Sequence, residues 1–189
     1  MVVRGAAWNI DCGKVIDYAC MDNAPVAPEP VTNVGLDAFK HAFRRHAAGV
    51  AAVTSRAPDG SPVGFTATSL ASLAAVPPLA TLNMAQVSSA WPAMTVGNRL
   101  AIHMLGPRTL HHAQRMAADR DVRFAGEHWH LGPHNLPLLE GATAWMSGRI
   151  IEVHPVHDSA VIVVQIEDGE LGPDDEPLLY HERRYLKPG

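Results

Sequence analysis

Apolar residues recur at helical spacing near one early stretch and in short alternating or continuous runs over most of the remaining chain. Leu36, Phe39, Phe43 and Ala47 fall on one face of a helix expected over residues 36–48, with Asp37 in its first turn and Gly49 as a stop. Residues 50–55 read as a strand, Pro58-Asp59-Gly60 as a turn, and residues 63–68 as the returning strand of a hairpin. Two short strands, 70–75 and 79–84, are punctuated by Pro77-Pro78. Ser88 or Ser89 can cap a short helix to about residue 96, where Pro92 is tolerated because first-turn amides have no intrahelical acceptor. Residues 100–105 form another strand. Thr109 then caps a helix with Leu110, Ala113 and Ala117 on one side and the His111-His112 pair outside. The His-, Gly- and Pro-rich residues 121–140 read as a loop, of the long irregular kind that often carries function. Residues 142–153 and 160–167 form a long antiparallel pair, and Pro177-Leu178-Leu179-Tyr180 with Tyr185-Leu186 a last strand and its return. Six or more strands with few helices and short connections predict a mainly β chain, an antiparallel barrel rather than a βαβ array.

Residues 1–34 lack a sustained period and contain the Pro-rich run 24–30, so they are expected to be an irregular tail before one domain over 35–189. Arg4 precedes only six residues before Asp11 interrupts, which is no convincing signal peptide. At 189 residues the chain suits one well-buried domain. Charged residues make up only 18% of it, so a buried subunit interface is expected. A net charge of −4 argues against nucleic-acid binding, which needs a basic face, and no apolar run is long enough for a membrane-crossing helix. Cys12 and Cys20 both lie in the tail, which argues against a disulfide-built secreted domain and for a cytoplasmic setting.

Eleven histidines invite a metal hypothesis, and His128-Trp129-His130 with His134 is the densest group. No Cys, Asp or Glu stands at a familiar ligand spacing beside them, so no metal site is expected. There is no G-x-S-x-G elbow, no G-x-G-x-x-G after the first strand and no Walker loop. What remains is Gly64-Phe65-Thr66-Ala67-Thr68-Ser69-Leu70, carried through Pro77-Pro78-Leu79 and Asn83 to Ser88-Ser89. Small residues allow a flat ligand close to the backbone, and hydroxyls with free amides suit a phosphate. Taken alone, the stretch is a Thr/Ser-rich strand end with a bend.

These motifs come in one order with Arg123-Phe124, residues 137–142 and Pro177-Leu178-Leu179-Tyr180 downstream. As a set, spanning about residues 39–186, they resemble the flavin reductase-like family of FMN-binding split barrels, which supply reduced flavin to two-component monooxygenases. The resemblance implies an antiparallel split β-barrel with a few flanking helices, a homodimer, FMN or FAD as cofactor, and NADH or NADPH as hydride donor. It implies that Thr66, Ala67, Thr68 and Ser69 line the isoalloxazine edge. It gives Asn83, Ser88 and Ser89 the ribityl chain and phosphate, and sets Arg123 and Phe124 near the flavin. Many members carry Gly-Asp-His before the penultimate long strand, with the His beside the nicotinamide. Here His157-Asp158-Ser159 stands at that place, so Ser159, or His157 one position before the Asp, takes the role. A hydroxyl can donate a hydrogen bond but cannot stack or carry charge. The family's frequent Asn in the strand before the third helix is His103. The leading expectation is therefore an NAD(P)H-dependent flavin reductase partnered with a flavin-dependent monooxygenase. The rival, motivated by Ser159, is a non-catalytic flavin-binding protein that stores or relays electrons.

Overall fold

The computed structural model describes residues 29–188, so the expectations for residues 1–28, the two cysteines included, lie outside the described residues. The chain opens with α1 (Asn33–Arg45), and β1 (Ala48–Gly49) follows. Next come β2 (Ala51–Arg56), β3 (Pro62–Ala67), β4 (Ala71–Ala74), β5 (Leu79–Ala85) and β6 (Arg99–Met104). Helices α2 (Leu110–Ala117) and α3 (Arg120–Arg123) precede β7 (Trp129–Leu131) and β8 (Pro137–Leu139). The long β9 (Ala144–Val156) and β10 (Ser159–Leu171), then β11 (Leu179–His181) and β12 (Arg184–Leu186), complete it.

Seven strands form one antiparallel sheet in the order β3-β2-β6-β9-β10-β5-β4. Its two edge strands, β3 and β4, are consecutive in the chain and joined only by residues 68–70. Six inter-strand spacings would hold the edges of a flat sheet about 29 Å apart, whereas this link spans at most about 15 Å. The sheet must therefore curl until its edges meet. No ladder joins β3 to β4, so the result is a split barrel. Alternation along the strands sends Val53, Leu82, Leu100, Ile102, Ile150 and Ile162 inward, all inaccessible to solvent, each worth about 2 kcal/mol by burial.

Two small sheets, β1-β11-β12 and β7-β8, and the helices α2 and α3 cover the outside. Helix α2 lies so close to β3 that a Cβ on Gly64 would sit 2.9 Å from Met116 Sδ and from Val53 O. Glycine is the residue that permits this approach.

Several sequence expectations need correction. Helix α1 starts at Asn33, inside the expected tail, because the Thr32 side chain accepts from Gly35 N at 3.1 Å and caps it. Its Leu36, Phe39 and Phe43 face solvent among the described residues. The helix expected after Ser89 is a single 3₁₀ turn, Trp91–Ala93. Residues 121–140 are not one loop: they include the end of α3 and the β7-β8 pair, and Leu138 of β8 with Leu136 just before it buries against Ala101. His112 is buried, and only His111 of that pair is outside. No helix is long and apolar enough to cross a membrane among the described residues.

Candidate active site

The rim where β3 ends, β5 ends and β9 turns into β10 collects the residues singled out from sequence. Thr66 spends its hydroxyl on Ala113 O of α2 at 2.6 Å, so its side chain faces the helix. Ala67 is buried and Thr68 is exposed where the strand bends. Ser69 Oγ accepts from Asn83 N at 2.9 Å and donates to Asn83 O at 3.2 Å, tying the link between the barrel edges to β5. A groove of about 600 Å³ begins at the next residue, Leu70, and is walled by Leu79, Met104, Met146, Ile166 and Leu178.

Beyond β5, Ser88 Oγ accepts from Ala90 N at 3.3 Å and Ser89 Oγ accepts from Arg123 Nη1 at 3.1 Å. The same Nη1 donates to Gly64 O at 2.7 Å, and Arg123 Nε donates to Ala118 O at 2.9 Å. This half-buried guanidinium has no carboxylate in ion-pair contact among the described residues. Desolvation moves its pKa down from the ordinary value, with the Asp119 carboxylate acting against the fall and the Arg120 charge adding to it. Phe124 does something else. Its ring lies 3.1 Å from where a Gly64 Cβ would be and meets Trp129 edge-on at 5.5 Å, so it wedges α3 against β3.

Ser159 sits opposite Ala85 of β5, two residue pairs along the ladder from Asn83. Cross-strand pairing of Asn83 with Val161, and of Val161 with His154, puts Asn83, Ser159 and His154 on one face of the sheet. Ser159 Oγ donates to Asp158 Oδ1 at 3.2 Å. His157 is exposed on the turn with φ 54°. The structure thus brings Thr66–Ser69, Asn83, Ser88, Ser89, Arg123 and the 157–159 turn to one rim. It turns the side chains of Thr66 and Phe124 toward packing.

Three residues take roles that the sequence reading did not give them. Gln86 Nε2 donates to His157 O and Ser159 O, both at 2.9 Å, while Gln86 N donates to Asp158 O at 2.8 Å, so one side chain fixes the whole turn. His128 Nε2 meets Arg123 O at 2.9 Å and anchors the α3 segment that carries the guanidinium. His154 pairs with Glu152 at 2.6 Å on the Asn83 face. The signal for Gln86 lies in strand register, which no single segment displays, whereas His128 and His154 contact residues five and two positions away.

His103 stands apart from the rim. Its Nε2 accepts from Leu139 N at 3.1 Å, which leaves the proton on Nδ1 to be donated to Ala52 O at 3.1 Å. It is fully buried, and desolvation pushes its pKa down to about 4, so it is a neutral clamp joining β2, β6 and β8. His112 is likewise pushed down to about 4 by burial. Its Nε2 donates to Glu140 O at 2.7 Å, and its Nδ1 is buried without a partner. Among the described residues no group of three His, Cys, Asp or Glu could hold a metal ion.

Known proteins are similar to this chain in sequence and fold. Residues 43–189 match the flavin reductase like domain family. An NADH:FMN oxidoreductase of Rhodococcus erythropolis is 38% identical over 181 residues, covering 92% of this chain and 94% of that one. The 4-hydroxyphenylacetate 3-monooxygenase reductase component of Pseudomonas aeruginosa is 30% identical over 152 residues, covering 78% and 89%. The crystal structure of a flavin reductase domain protein from Arthrobacter sp. FB24 superposes with a TM-score of 0.78 at 45% identity, covering 82% of this chain and 96% of that one. With the split barrel and the rim both in place, the chain belongs to the flavin reductase like domain family.

Proposed function

We propose that this protein is an NAD(P)H-dependent flavin reductase: a cytoplasmic homodimer that binds FMN or FAD at the rim and delivers reduced flavin to a flavin-dependent monooxygenase. The observation that carries this reading is the Arg123 guanidinium, half-buried beside the Ser89 hydroxyl with no carboxylate in ion-pair contact among the described residues. A phosphate fits that donor set. It would supply the missing negative charge and accept from hydroxyls and guanidinium together. The Rhodococcus relative's name gives the same chemistry, and the Pseudomonas relative's name gives the monooxygenase connection.

In this reading the exposed bend at Thr68 and Ser69 lies along the ring edge, and Asn83 holds the ribityl chain from the neighbouring strand. Ser88, Ser89 and Arg123 hold the phosphate. A flavin held there would supply the hydride acceptor and a nicotinamide nucleotide the donor, so no acid–base dyad is required of the protein. Its own task is positioning. Ser69 fixes the bend to β5, Gln86 fixes the 157–159 turn, and His128 fixes the Arg123 segment. Ser159 offers one hydroxyl to the nicotinamide amide, in place of a ring that could stack on it. The homodimer is supported by the low charge content and by apolar residues left in the open on α1 and along β4.

The test is loss of the reduced-nicotinamide absorbance when purified protein meets NADH or NADPH with added FMN or FAD. Turnover above background with at least one of the four pairs is expected. Background rates with all four would remove the reductase assignment, and tight flavin binding without turnover would favour the electron-relay reading.

A further inference from the structure

Helix α1 has thirteen residues and, among the described residues, buries none of them. An isolated helix of that length is marginal in water and draws its stability from a packed apolar face. Such a face exists here. Leu36, Phe39 and Phe43 lie at i, i+3 and i+7, and they are 38%, 59% and 60% exposed. The two phenylalanine rings already touch, with centroids 4.6 Å apart. The helix is tied to the barrel at its C-terminal end, where Glu182 N donates to Arg44 O at 3.2 Å and β1 begins three residues beyond Arg45.

The open groove described above is an apolar seat of about 600 Å³. Its edge carries Asp175, which is ion-paired with Arg108 at 3.2 Å, and the flanking Asp174 and Glu176 leave that edge negative on balance. Along α1, Lys40 and Arg44 stand four residues apart on the flank of the apolar stripe, so the helix offers positive charge where the groove edge is negative. The groove continues into further exposed apolar surface, because Leu73 and Val76 stand open on and just after β4, a free sheet edge. Gly49, at the end of β1, lies on the groove wall. The arm thus leaves the barrel beside its own groove while keeping its stripe out of it.

We infer that α1 is an exchanged arm: its Leu36-Phe39-Phe43 stripe seats in the apolar groove of a second copy of this chain. The inference rests on the homodimer reading and names the contact that makes it. Two copies related by a two-fold axis satisfy both arms and both grooves at once, with Lys40 and Arg44 facing the acidic segment 174–176 in each.

The test uses the full chain with the photo-crosslinking residue benzoylphenylalanine in place of Phe39, its mass in solution measured by light scattering on the same preparation. A dimer is expected, with irradiation giving a covalent two-chain product whose linked peptides come from residues 70–80 or 174–178. Cross-links within one chain, to residues 1–28 or elsewhere, in a protein of dimer mass would overturn the exchanged arm and leave the homodimer standing. A monomer mass would remove both. Independently, the Phe39→Asp/Phe43→Asp chain should keep its β-sheet circular dichroism while the dimer dissociation constant rises at least tenfold. A dissociation constant unchanged in that variant would also overturn the inference.

Discussion

The two halves of the rim are built differently. The proposed flavin side is over-determined: Ser69 is bonded twice to β5, and Arg123 reaches Ala118 O, Gly64 O and Ser89 with three donor contacts. The proposed nicotinamide side is the exposed end of the β9-β10 hairpin, with one positive-φ histidine, and Gln86 is the side chain that braces it. Multiple bonds from several elements make a rigid wall suited to a resident ligand. One clamp makes a surface that a second substrate can enter and leave. The difference matches the order of events in the proposed reaction, in which the nicotinamide nucleotide comes and goes.

If the flavin wall is the rigid half, the largest effect should come from blocking it. Thr68→Arg puts a long charged side chain at the exposed bend without touching the core. Flavin affinity is expected to fall by at least about a hundredfold, roughly 2.7 kcal/mol, while circular dichroism and thermal midpoint stay near wild type. Wild-type affinity in a folded Thr68→Arg protein would take this stretch out of the site.

Both halves hang from strands clamped by His103, and that clamp makes stability depend on pH. The ring titrates near its ordinary value of 6.5 in the unfolded chain and at about 4 in the fold. The unfolded state therefore binds the extra proton between those values, and stability rises with pH across that window. The contribution is complete above pH 6.5 and is lost as pH falls toward about 4, an effect of about 3 kcal/mol, to which His112 adds in the same direction. Urea midpoints taken above pH 7 and near pH 5 should differ accordingly, and His103→Gln should flatten the difference. A midpoint equally steep in acid for that variant would assign the acid limb to other groups.

The fold was more legible than the site, for a physical reason. Strand existence follows from runs such as Val53, Leu82 and Ile162, whose alternation is local, and the long β9-β10 hairpin is visible as two such runs around His157-Asp158. Residues 66–69 and 88–89 read alone as a Thr/Ser-rich bend, and only their order with the downstream motifs pointed to a ligand wall. Gln86 was not legible, because the carbonyls it bonds are brought close by strand register, and His128 and His154 were not, because each acts on a near neighbour rather than on a ligand. Leu36, Phe39 and Phe43 show the converse. Their helical pattern is correct, but the apolar face it makes is open among the described residues.

Charge separates the ends of the flavin side. Arg123→Ala should weaken FMN binding about tenfold or more, since a hydrogen bond from a charged group contributes roughly 1.5–3 kcal/mol. Riboflavin, which lacks the phosphate, is the control that keeps the test specific: its affinity should move less than twofold. Equal losses for FMN and riboflavin would mean that Arg123 only braces Gly64 and α3. On the other half, Gln86→Ala should raise KM for the nicotinamide nucleotide about fivefold, near 1 kcal/mol, with flavin affinity unchanged. A matching loss of flavin binding would show that the two halves are not separable.

The smallest effect tests the loosest residue. Ser159 lies on the Asn83 face and spends its hydroxyl on Asp158, so it is the position where an imidazole could reach the nicotinamide without disturbing the β5-β10 ladder. Ser159→His adds a flat polar ring at a half-buried site whose backbone is already fixed by Gln86. The ring can stack and offer an N–H, a gain expected to raise kcat/KM for the better nicotinamide nucleotide about threefold, roughly 0.6 kcal/mol. The gain should appear in KM, because the added contact is the same before and during hydride transfer. A fall in kcat/KM with intact flavin binding would mean that the turn already fits its substrate through the serine, and that the 157–159 side is as specified as the flavin wall.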